Sequence, residues 1–376
     1  MDTLRSLLHF IYGQSTGEET YTTIAALIKQ SADDLPADQT RGVKQNGSPR
    51  LGEGPDAGRE ESLFGQKGNQ LPLDQEDAFL ITYGDQFRAS GEQPLHTLKR
   101  FADTFLHDII GGIHILPFFP YSSDDGFSII DYRQVNPEWG DWNHIDTIGS
   151  SYRLAADLVL NHCSAKSYWF KQFLEGDPKY KDFFITASPE TDLSMIVRPR
   201  ALPLLTPFDT ARGKEHVWTT FSEDQVDLNF ANPDVLIEMI DIFLFYLQHH
   251  VQMVRMDAIA YVWKQIGHPS IHHEKTHAIV QVFRTIVEEI APKTVLLTET
   301  NVPHKENISY FGDGTNEAHM VYQFPLPPLV IDAFLREDVG ILAQWAASLS
   351  RPNNNVTFFN FLASHDGVGL LPAHGI

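Results

Sequence analysis

The sequence predicts an α/β fold in which parallel strands alternate with helices around a barrel. Three observations lead to this prediction: seven short apolar segments follow residue 77, helical segments lie between several of them, and 42% of the 376 residues are hydrophobic. Strands of a parallel sheet are covered by helices on both faces, so they are apolar along their whole length. A (β/α)8 barrel of the TIM type, with the eighth unit missing, fits this pattern.

The seven candidate strands end in or near turn or polar residues. They are AFLITYG (78–84), GIHILPFF (112–119), RLAADLVLNH (153–162), VQMVRMDA (251–258), TVLLTET (294–300), HMVYQF (319–324) and TFFNFLASHD (357–366). Two helical segments between them cover 235–250 and 276–291. A doubly wound open sheet is the alternative. It has little support as a dinucleotide-binding fold, because no G-x-G-x-x-G follows the first strand.

The chain before the first strand divides into two segments. Residues 1–30 are expected to be helical, since apolar residues recur on one helical face and Ser15 with Glu18 predicts a capping box opening a second helix. Residues 31–76 are polar and rich in Gly, Pro and charged residues, which indicates a linker or an insertion. The barrel is expected over 77–163 and 226–376.

Composition argues against several kinds of partner. The formal net charge of -21 disfavours nucleic acid and anionic membranes, and no apolar run approaches the roughly 18 residues that span a bilayer. Cys163 is alone, so no intrachain disulfide is expected. With no signal-peptide pattern at the N-terminus, we expect a reducing cytoplasm. The sequence does not predict an oligomeric state.

Neither a metal nor a cofactor is expected. His268, His272 and His273 form a histidine-rich run, but Glu274 is the one carboxylate near it at ligand-like spacing. Four tryptophans are candidates for stacking on sugar rings, although packing in the core or at an interface is the commoner role for such residues. They are Trp139, Trp142, Trp169 and Trp218. Cys163 is expected to be a small buried filler.

Polar groups lie at the ends of four candidate strands. In a βα barrel the carboxyl ends of all strands meet on one face, where the active site lies. The sequence therefore predicts one cluster of carboxylates, imidazoles and a guanidinium. Its members are Asp157, Asn161, His162, Arg255, Asp257, Glu299, His365 and Asp366.

Such a cluster suits chemistry at a glycosidic carbon, which uses an ionised carboxylate and a protonated carboxyl group. Arg255, on the same side of its strand as Asp257, is expected to lower the pKa of that carboxyl. Glu299 is expected to be the proton donor, and Asp366 to bind sugar hydroxyls as the ring flattens. Taken singly, such residues are more often helix caps, structural ion pairs or structural histidines. Their order on successive strands favours a site.

Four motifs, DLVLNH, VRMDA, LLTETN and FLASHD, resemble the signature regions of the alpha-amylase superfamily of retaining glycoside hydrolases and transglycosidases. The resemblance extends from about residue 77 to the C-terminus. It implies that Asp257 is the nucleophile, Glu299 the acid/base and Asp366 the transition-state stabiliser. The resemblance also implies which residues line the subsite of the reacting glucosyl ring. They are His162, Arg255 and His365.

A second group of motifs resembles the sucrose phosphorylase branch, and within it the phosphorylases of glucosylglycerate and of phosphorylated sucrose. These motifs are HILPFFPYSSDDGFSIIDYRQVNPEWGDW, VWTTFSEDQVDLNF and MVYQFPLPPLV. They imply that Asp124 and Phe127 hold the glucosyl unit and that Gln225 and Tyr261 lie near the pocket. From the residues alone, Asp124 could equally belong to a turn. The branch also implies an inserted domain over 164–225 and a C-terminal β domain that is absent here.

The implied function is retaining glucosyl transfer from an α-glucoside, sucrose-like or glucosylglycerate-like, to inorganic phosphate. The product is α-glucose 1-phosphate, formed through a covalent glucosyl–enzyme. Hydrolysis of the same glucosides and an inactive or sugar-binding barrel are the alternatives. Leu371 and His374 stand where relatives commonly have arginine and glutamate, so the acceptor is left open.

Overall fold

The computed structural model describes residues 1–40, 73 and 77–373. Its helices and strands, numbered in chain order, follow. The helices are α1 (Asp2–Tyr12), α2 (Gln14–Ala32), α3 (Ala37–Thr40), α4 (Pro94–Phe105), α5 (Trp142–Gly149), α6 (Tyr168–Glu175), α7 (Pro233–Gln248), α8 (Glu274–Ile290), α9 (His304–Asn307), α10 (Leu326–Arg336) and α11 (Gly340–Ser348). The strands are β1 (Phe79–Thr82), β2 (Gly112–Ile115), β3 (Arg153–Val159), β4 (His162–Ser164), β5 (Leu205–Thr210), β6 (Gly213–Trp218), β7 (Gln225–Asp227), β8 (Val251–Asp257), β9 (Val295–Thr298), β10 (Met320–Tyr322) and β11 (Thr357–Phe359). Within these described ranges, no helix has the length and apolarity needed to cross a membrane.

One sheet of seven parallel strands organises the fold. Its order is β1-β2-β3-β8-β9-β10-β11, and each strand falls within one of the seven predicted segments. The two edges, β1 and β11, approach each other through Phe79 and Phe359, whose ring centroids are 5.9 Å apart. The sheet therefore curves round as a partial (β/α)8 barrel, which confirms the predicted fold class.

The centre of the sheet is the β3–β8 pair. Its strands are buried and apolar, and the register places Asp157 opposite Arg255 and Val159 opposite Asp257. Helices α7 and α8 cover the outside of the sheet with continuous apolar faces. Asn232 caps α7 by accepting a hydrogen bond from the N–H of Asp234. The ends of β3 and β8 are thus held by the pairing of the two strands and by the helices that cover the sheet.

The N-terminal helices α1 and α2 pack as a hairpin against α8 and α7. Gly17 permits this packing, because a Cβ atom there would lie 2.6 Å from the carbonyl oxygen of Leu8. Two hydrogen bonds tie the hairpin to the barrel: Tyr12 Oη donates to Phe230 O at 3.0 Å, and Lys275 Nζ donates to Ile11 O at 2.8 Å.

The predicted capping box at the start of α2 is wrong. Gly13, with φ of 82°, turns the chain so that α2 already begins at Gln14, and Ser15 lies inside the helix. The carboxylate of Glu18 instead contacts His9 Nε2 at 3.0 Å. Contact between α1 and α2 therefore takes precedence over the local capping box at Ser15.

The segment predicted as a linker, 31–76, begins in packed structure. Helix α2 continues to Ala32 and is followed by α3, where the buried Gln39 donates from Nε2 to Val251 O at 3.1 Å. Residues 41–72 and 74–76, to which the rest of that prediction applies, lie outside the described residues.

Between β3 and α7 the chain builds a small separate unit. It contains α6, the β5–β6 hairpin, and an antiparallel β4–β7 pair whose register sets Ser164 opposite Gln225. A buried ion pair connects this unit to the loop after β8, with Lys264 Nζ 2.7 Å from Asp227 Oδ2. Lys264 also donates to Asn161 at the end of β3.

We expect Lys264→Met to lower the free energy of unfolding by about 3–5 kcal/mol, because Asp227 is then left buried without its cation. Urea unfolding followed by circular dichroism measures the change. Lys214→Met is the matched control: Lys214 lies 3.7 Å from Asp209 and both side chains are exposed, so its cost is expected to stay below about 1 kcal/mol. Equal effects of the two substitutions contradict the prediction.

Candidate active site

The carboxyl ends of the barrel strands and the loops that follow them surround a cavity of about 770 Å3. Ten of the residues that the sequence predicted for the site line this cavity, whereas Asp157 and Asn161 of the predicted cluster lie behind its wall, in contact with Arg255 and His162. The ten residues that line it are Asp124, Phe127, His162, Gln225, Arg255, Asp257, Tyr261, Glu299, His365 and Asp366. Strands that are distant in sequence therefore bring the predicted side chains to one place.

Arg255 lies at the centre of the polar network. Its Nη1 donates to Asp157 Oδ1 at 2.5 Å and to Asp257 Oδ1 at 2.6 Å. His114 Nε2 lies 2.8 Å from the other oxygen of Asp157. The guanidinium is also 5.5 Å from the ring centre of Phe127, close enough for a cation–π contact. One cation thus serves two buried carboxylates.

The Asp157 carboxylate is fully buried, and burial alone opposes its ionisation. The charge of Arg255 and the contact with His114 outweigh this effect and lower the pKa of Asp157 to about 2. Asp157 therefore remains charged and holds Arg255 in place.

Burial is the largest influence on Asp257 and Glu299. It raises the pKa of Asp257 to about 7 despite the opposing charge of Arg255, and the negative charge of Glu299 adds to the rise. Burial also raises the pKa of Glu299. Arg255 lowers the pKa of Asp257, as expected, but burial outweighs this effect, and the negative charges of Glu299 and Asp157 act in the same direction as burial.

Burial disfavours two negative charges side by side here, so ionisation of one carboxyl group opposes ionisation of the other. Arg255 contacts Asp257 directly, which favours the ionised form of Asp257 beside the protonated form of Glu299. The N–H of Ala258 donates to Glu299 Oε2 at 3.0 Å. Ala258 has φ of 48°, and this left-handed turn just after β8 points its N–H towards β9.

A second network joins the small inserted unit to the barrel. Ser222 Oγ donates to Gln225 Oε1 at 2.8 Å, so Gln225 Nε2 faces Asp124 Oδ2, also at 2.8 Å. Asn161 Nδ2 lies 3.2 Å from His162 Nδ1, and His162 Nε2 lies 3.1 Å from the carbonyl oxygen of Phe127 and 3.0 Å from Gln225 Nε2. Burial lowers the pKa of His162 to about 4, so the ring is neutral.

The loop after β11 supplies His365 and Asp366. The imidazole of His365 stacks on Phe127 with ring centres 5.2 Å apart, and burial lowers its pKa. Its Nδ1 is buried and has no hydrogen-bond partner among the described residues, which leaves this atom for a ligand. Asp366 is 65% exposed, with Oδ2 3.4 Å from His365 Nε2.

The chain is also similar to known proteins. A family profile described as "Alpha amylase, catalytic domain" matches residues 103–367. The chain belongs to the alpha-amylase family.

Its relatives include phosphorylases. Glucosylglycerate phosphorylase of Spirochaeta thermophila is 57% identical over 376 residues, which is 100% of this chain and 60% of that protein. Sucrose phosphorylase of Agrobacterium vitis is 29% identical and matches 78% of this chain and 59% of that protein. The crystal structure of sucrose 6F-phosphate phosphorylase from Thermoanaerobacter thermosaccharolyticum superposes with a TM-score of 0.70 at 27% identity, over 81% of this chain and 62% of that one. The chain therefore spans about three fifths of the length of these relatives.

Other residues of this alpha-amylase family pocket were not found from the sequence. Its wall also contains Tyr83, Arg198, Arg200, His272 and Glu306. The arginines lie in a loop of the inserted unit, and Arg200 Nη2 is 3.3 Å from Asp124 Oδ2. The segment RPR was visible as a cationic pair, but no strand end or spacing connected it with the site. Leu371 lines the pocket, whereas His374 lies outside the described residues.

The four tryptophans considered for sugar stacking do not line the pocket. Trp142 packs on His249 with ring centres 4.4 Å apart, and Trp139 and Trp218 are buried. Packing accounts for them. Within the described part of the chain, no group of three His, Cys, Asp or Glu side chains is placed to hold a metal ion.

The pKa of Asp157 predicts an acid-sensitive contribution to stability. Because its pKa in the folded chain is about 2, below the usual value near 3.9, the contribution is complete above about pH 4 and disappears as the pH falls towards 2. Its size is on the order of 2 kcal/mol. Urea unfolding at several pH values between about 5 and 2 measures it.

Asp157→Asn is expected to be less stable than the wild type at neutral pH and to lose less on acidification. Asp108→Asn serves as the control, since that side chain is 95% exposed, and its pH profile is expected to follow the wild type. Parallel profiles for the wild type and Asp157→Asn contradict the prediction.

Proposed function

We propose that this chain contains the catalytic barrel of a retaining phosphorylase that transfers a glucosyl unit from an α-glucoside to inorganic phosphate. The observation that carries the proposal is the buried Asp257–Glu299 pair, in which burial raises both pKa values and Arg255 contacts Asp257. Glucosylglycerate is the substrate we favour, because the relative at 57% identity is a glucosylglycerate phosphorylase.

In the first step, a carboxylate oxygen of Asp257 attacks the anomeric carbon and the bond to the leaving oxygen breaks. Glu299 gives its proton to that oxygen, so the leaving oxygen departs as a hydroxyl group and not as an alkoxide. Asp366 and His365 face the sugar from the opposite loop and bind its hydroxyls more tightly as the ring flattens. The glucosyl unit is left as an ester on Asp257.

In the second step, a phosphate oxygen attacks the anomeric carbon and releases the Asp257 carboxylate. Glu299, now ionised, receives a proton from hydrogen phosphate, and two inversions give retention. Phosphate needs donors that outcompete water for this position. Arg198 and Arg200 line the pocket and are exposed, so their guanidinium groups support phosphate as the acceptor.

We expect the chain to release glucose 1-phosphate from glucosylglycerate in the presence of phosphate and to prefer this substrate to sucrose and sucrose 6′-phosphate. Asp257→Asn is expected to abolish release, and Glu299→Gln to lower it about 10²–10⁴-fold. An enzymatic assay for glucose 1-phosphate measures both effects.

Glu19→Gln, at an exposed position on α2, is the matched control and is expected to retain the wild-type rate. The full-length Spirochaeta thermophila protein serves as the positive control for the assay. Free glucose without glucose 1-phosphate identifies a hydrolase instead. If this chain releases no product while the full-length relative is active, the proposal for this chain is overturned and a sugar-binding barrel remains as the alternative.

Arg198→Gln is expected to raise the KM for phosphate about 10-fold or more, because a charge-assisted hydrogen bond is lost. The KM for the glucoside is expected to stay within about 2-fold, since Arg198 lies on the wall formed by the inserted unit. Initial rates over a range of phosphate concentrations give both constants. Arg88→Gln, an exposed arginine outside the pocket, is the control. An unchanged KM for phosphate contradicts the role of Arg198.

A further inference from the structure

The pocket wall beyond Glu299 contains a second network of polar side chains that the glucosyl chemistry does not use. It consists of Tyr310, His272 and Glu306, and the last two line the cavity. Glu306 lies on α9, which follows the strand that positions Glu299. His272 belongs to the loop between β8 and α8, where its φ is 52°. Such strained backbone is commonly retained at binding sites.

Tyr310 fixes the tautomer of His272. The hydroxyl of Tyr310 is buried and lies 2.9 Å from His272 Nδ1, its one hydrogen-bond partner within the described chain. Burial raises the pKa of Tyr310 well above its usual value, so the hydroxyl donates and Nδ1 accepts. The hydrogen of the neutral imidazole is therefore on Nε2. His277 holds the tyrosine ring in place, stacked at 4.6 Å.

The hydrogen on His272 Nε2 points to Glu306. The distance from Nε2 to Glu306 Oε2 is 3.3 Å, yet Nε2 is buried and forms no well-aligned hydrogen bond with any described residue. The Glu306 carboxylate is 51% exposed towards the cavity. The His272 Nε2–H is thus a donor without a good partner, and the Glu306 carboxylate beside it is an acceptor open to the cavity. A ligand hydroxyl suits this pair, because it can both donate and accept a hydrogen bond.

The position of Glu306 places the Tyr310–His272–Glu306 network near the leaving group of the substrate. The segment that follows Glu299 forms a continuous part of the cavity wall, with Thr300, Asn301 and Val302 between Glu299 and the helix that bears Glu306. Since Glu299 is the group that protonates the leaving oxygen, Glu306 is on the leaving-group side of the cavity. Arg198 and Arg200 line the same cavity.

We propose that Glu306, positioned by His272 and Tyr310, binds a free hydroxyl of the leaving group and so selects hydroxy acids with a second hydroxyl. The inference rests on the proposed function. The hydroxyl hydrogen is donated to Glu306, and its oxygen accepts from His272 Nε2. Glu306 contacts the substrate in this arrangement, whereas His272 orients both partners and Tyr310 acts through His272.

The test compares D-glycerate with D-lactate, which share the carboxylate and the 2-hydroxyl and differ in the 3-hydroxyl. Each acid is offered with glucose 1-phosphate to the intact chain, and its KM and kcat are measured. Binding of each acid to the same proteins is followed by ligand-observed NMR. We expect the wild type to favour glycerate at least about 10-fold, the size of one hydrogen bond to a charged group.

Three variants separate the roles. Glu306→Gln is expected to raise the KM for glycerate about 10-fold and leave that for lactate within about 2-fold. Tyr310→Phe keeps the ring and its stacking on His277, and is expected to change the same preference in the same direction at unchanged kcat. Glu19→Gln is the matched control. Release of glucose from glucose 1-phosphate without an acid is expected to be unchanged in all three, because phosphate is then the leaving group and water the acceptor, and neither carries the hydroxyl that Glu306 is proposed to bind.

Each outcome decides between the two proposals. Loss of the glycerate preference in Glu306→Gln and Tyr310→Phe, with glucose release intact, supports the inference. An unchanged preference in Glu306→Gln overturns it while leaving glucosyl transfer standing. Absence of glucosyl transfer from the wild type overturns the proposed function, and the NMR comparison then still tests the inference. Equal binding of the two acids by the wild type, or binding of neither, overturns it.

Discussion

The contact of Arg255 with Asp157 and Asp257 is the interaction on which the site depends. One buried guanidinium serves two carboxylates, so the three groups together bear one negative charge. Such a group is stable only when its partners are held within hydrogen-bond distance, because an unpaired buried charge costs several kcal/mol. The sheet meets this condition by pairing β3 and β8 in a register that sets Asp157 opposite Arg255. The remaining negative charge then disfavours a further ionised group, which favours the protonated form of Glu299.

Much of this arrangement could be predicted from the sequence, since it follows from periodicity. Parallel strands are apolar throughout, so all seven were visible, and the polar residues at their ends had to meet on one face. The local cap proposed at Ser15 was wrong because the packing of α1 on α2 decided where α2 begins. The effect of Arg255 on the pKa of Asp257 was predicted in the right direction, but the sequence shows neither the burial that outweighs it nor Asp157 competing for the same cation.

The site residues that could not be predicted from the sequence lie on loops. Arg198, Arg200, His272 and Glu306 reach the cavity through turns whose course depends on tertiary contacts, and neither helical nor strand spacing relates them to the strand ends. His114 differs, since a histidine inside the apolar strand GIHI was a visible signal of an inward polar contact. Its partner, Asp157, lies 2.8 Å away across the β2–β3 pair.

The division between strands and loops also has a chemical consequence. In the proposed function, the groups that act on the glucosyl carbon are Asp257 and Glu299. They are at the ends of β8 and β9, where backbone hydrogen bonds and buried neighbours fix their positions closely, as displacement at carbon requires. Groups facing the departing or incoming molecule lie on loops and on the short helix α9. A substitution in a loop can alter which acceptor binds without disturbing the Arg255 network, whereas a substitution in β3 or β8 disturbs both. Acceptor choice can therefore differ among proteins of this fold while the glucosyl chemistry stays the same.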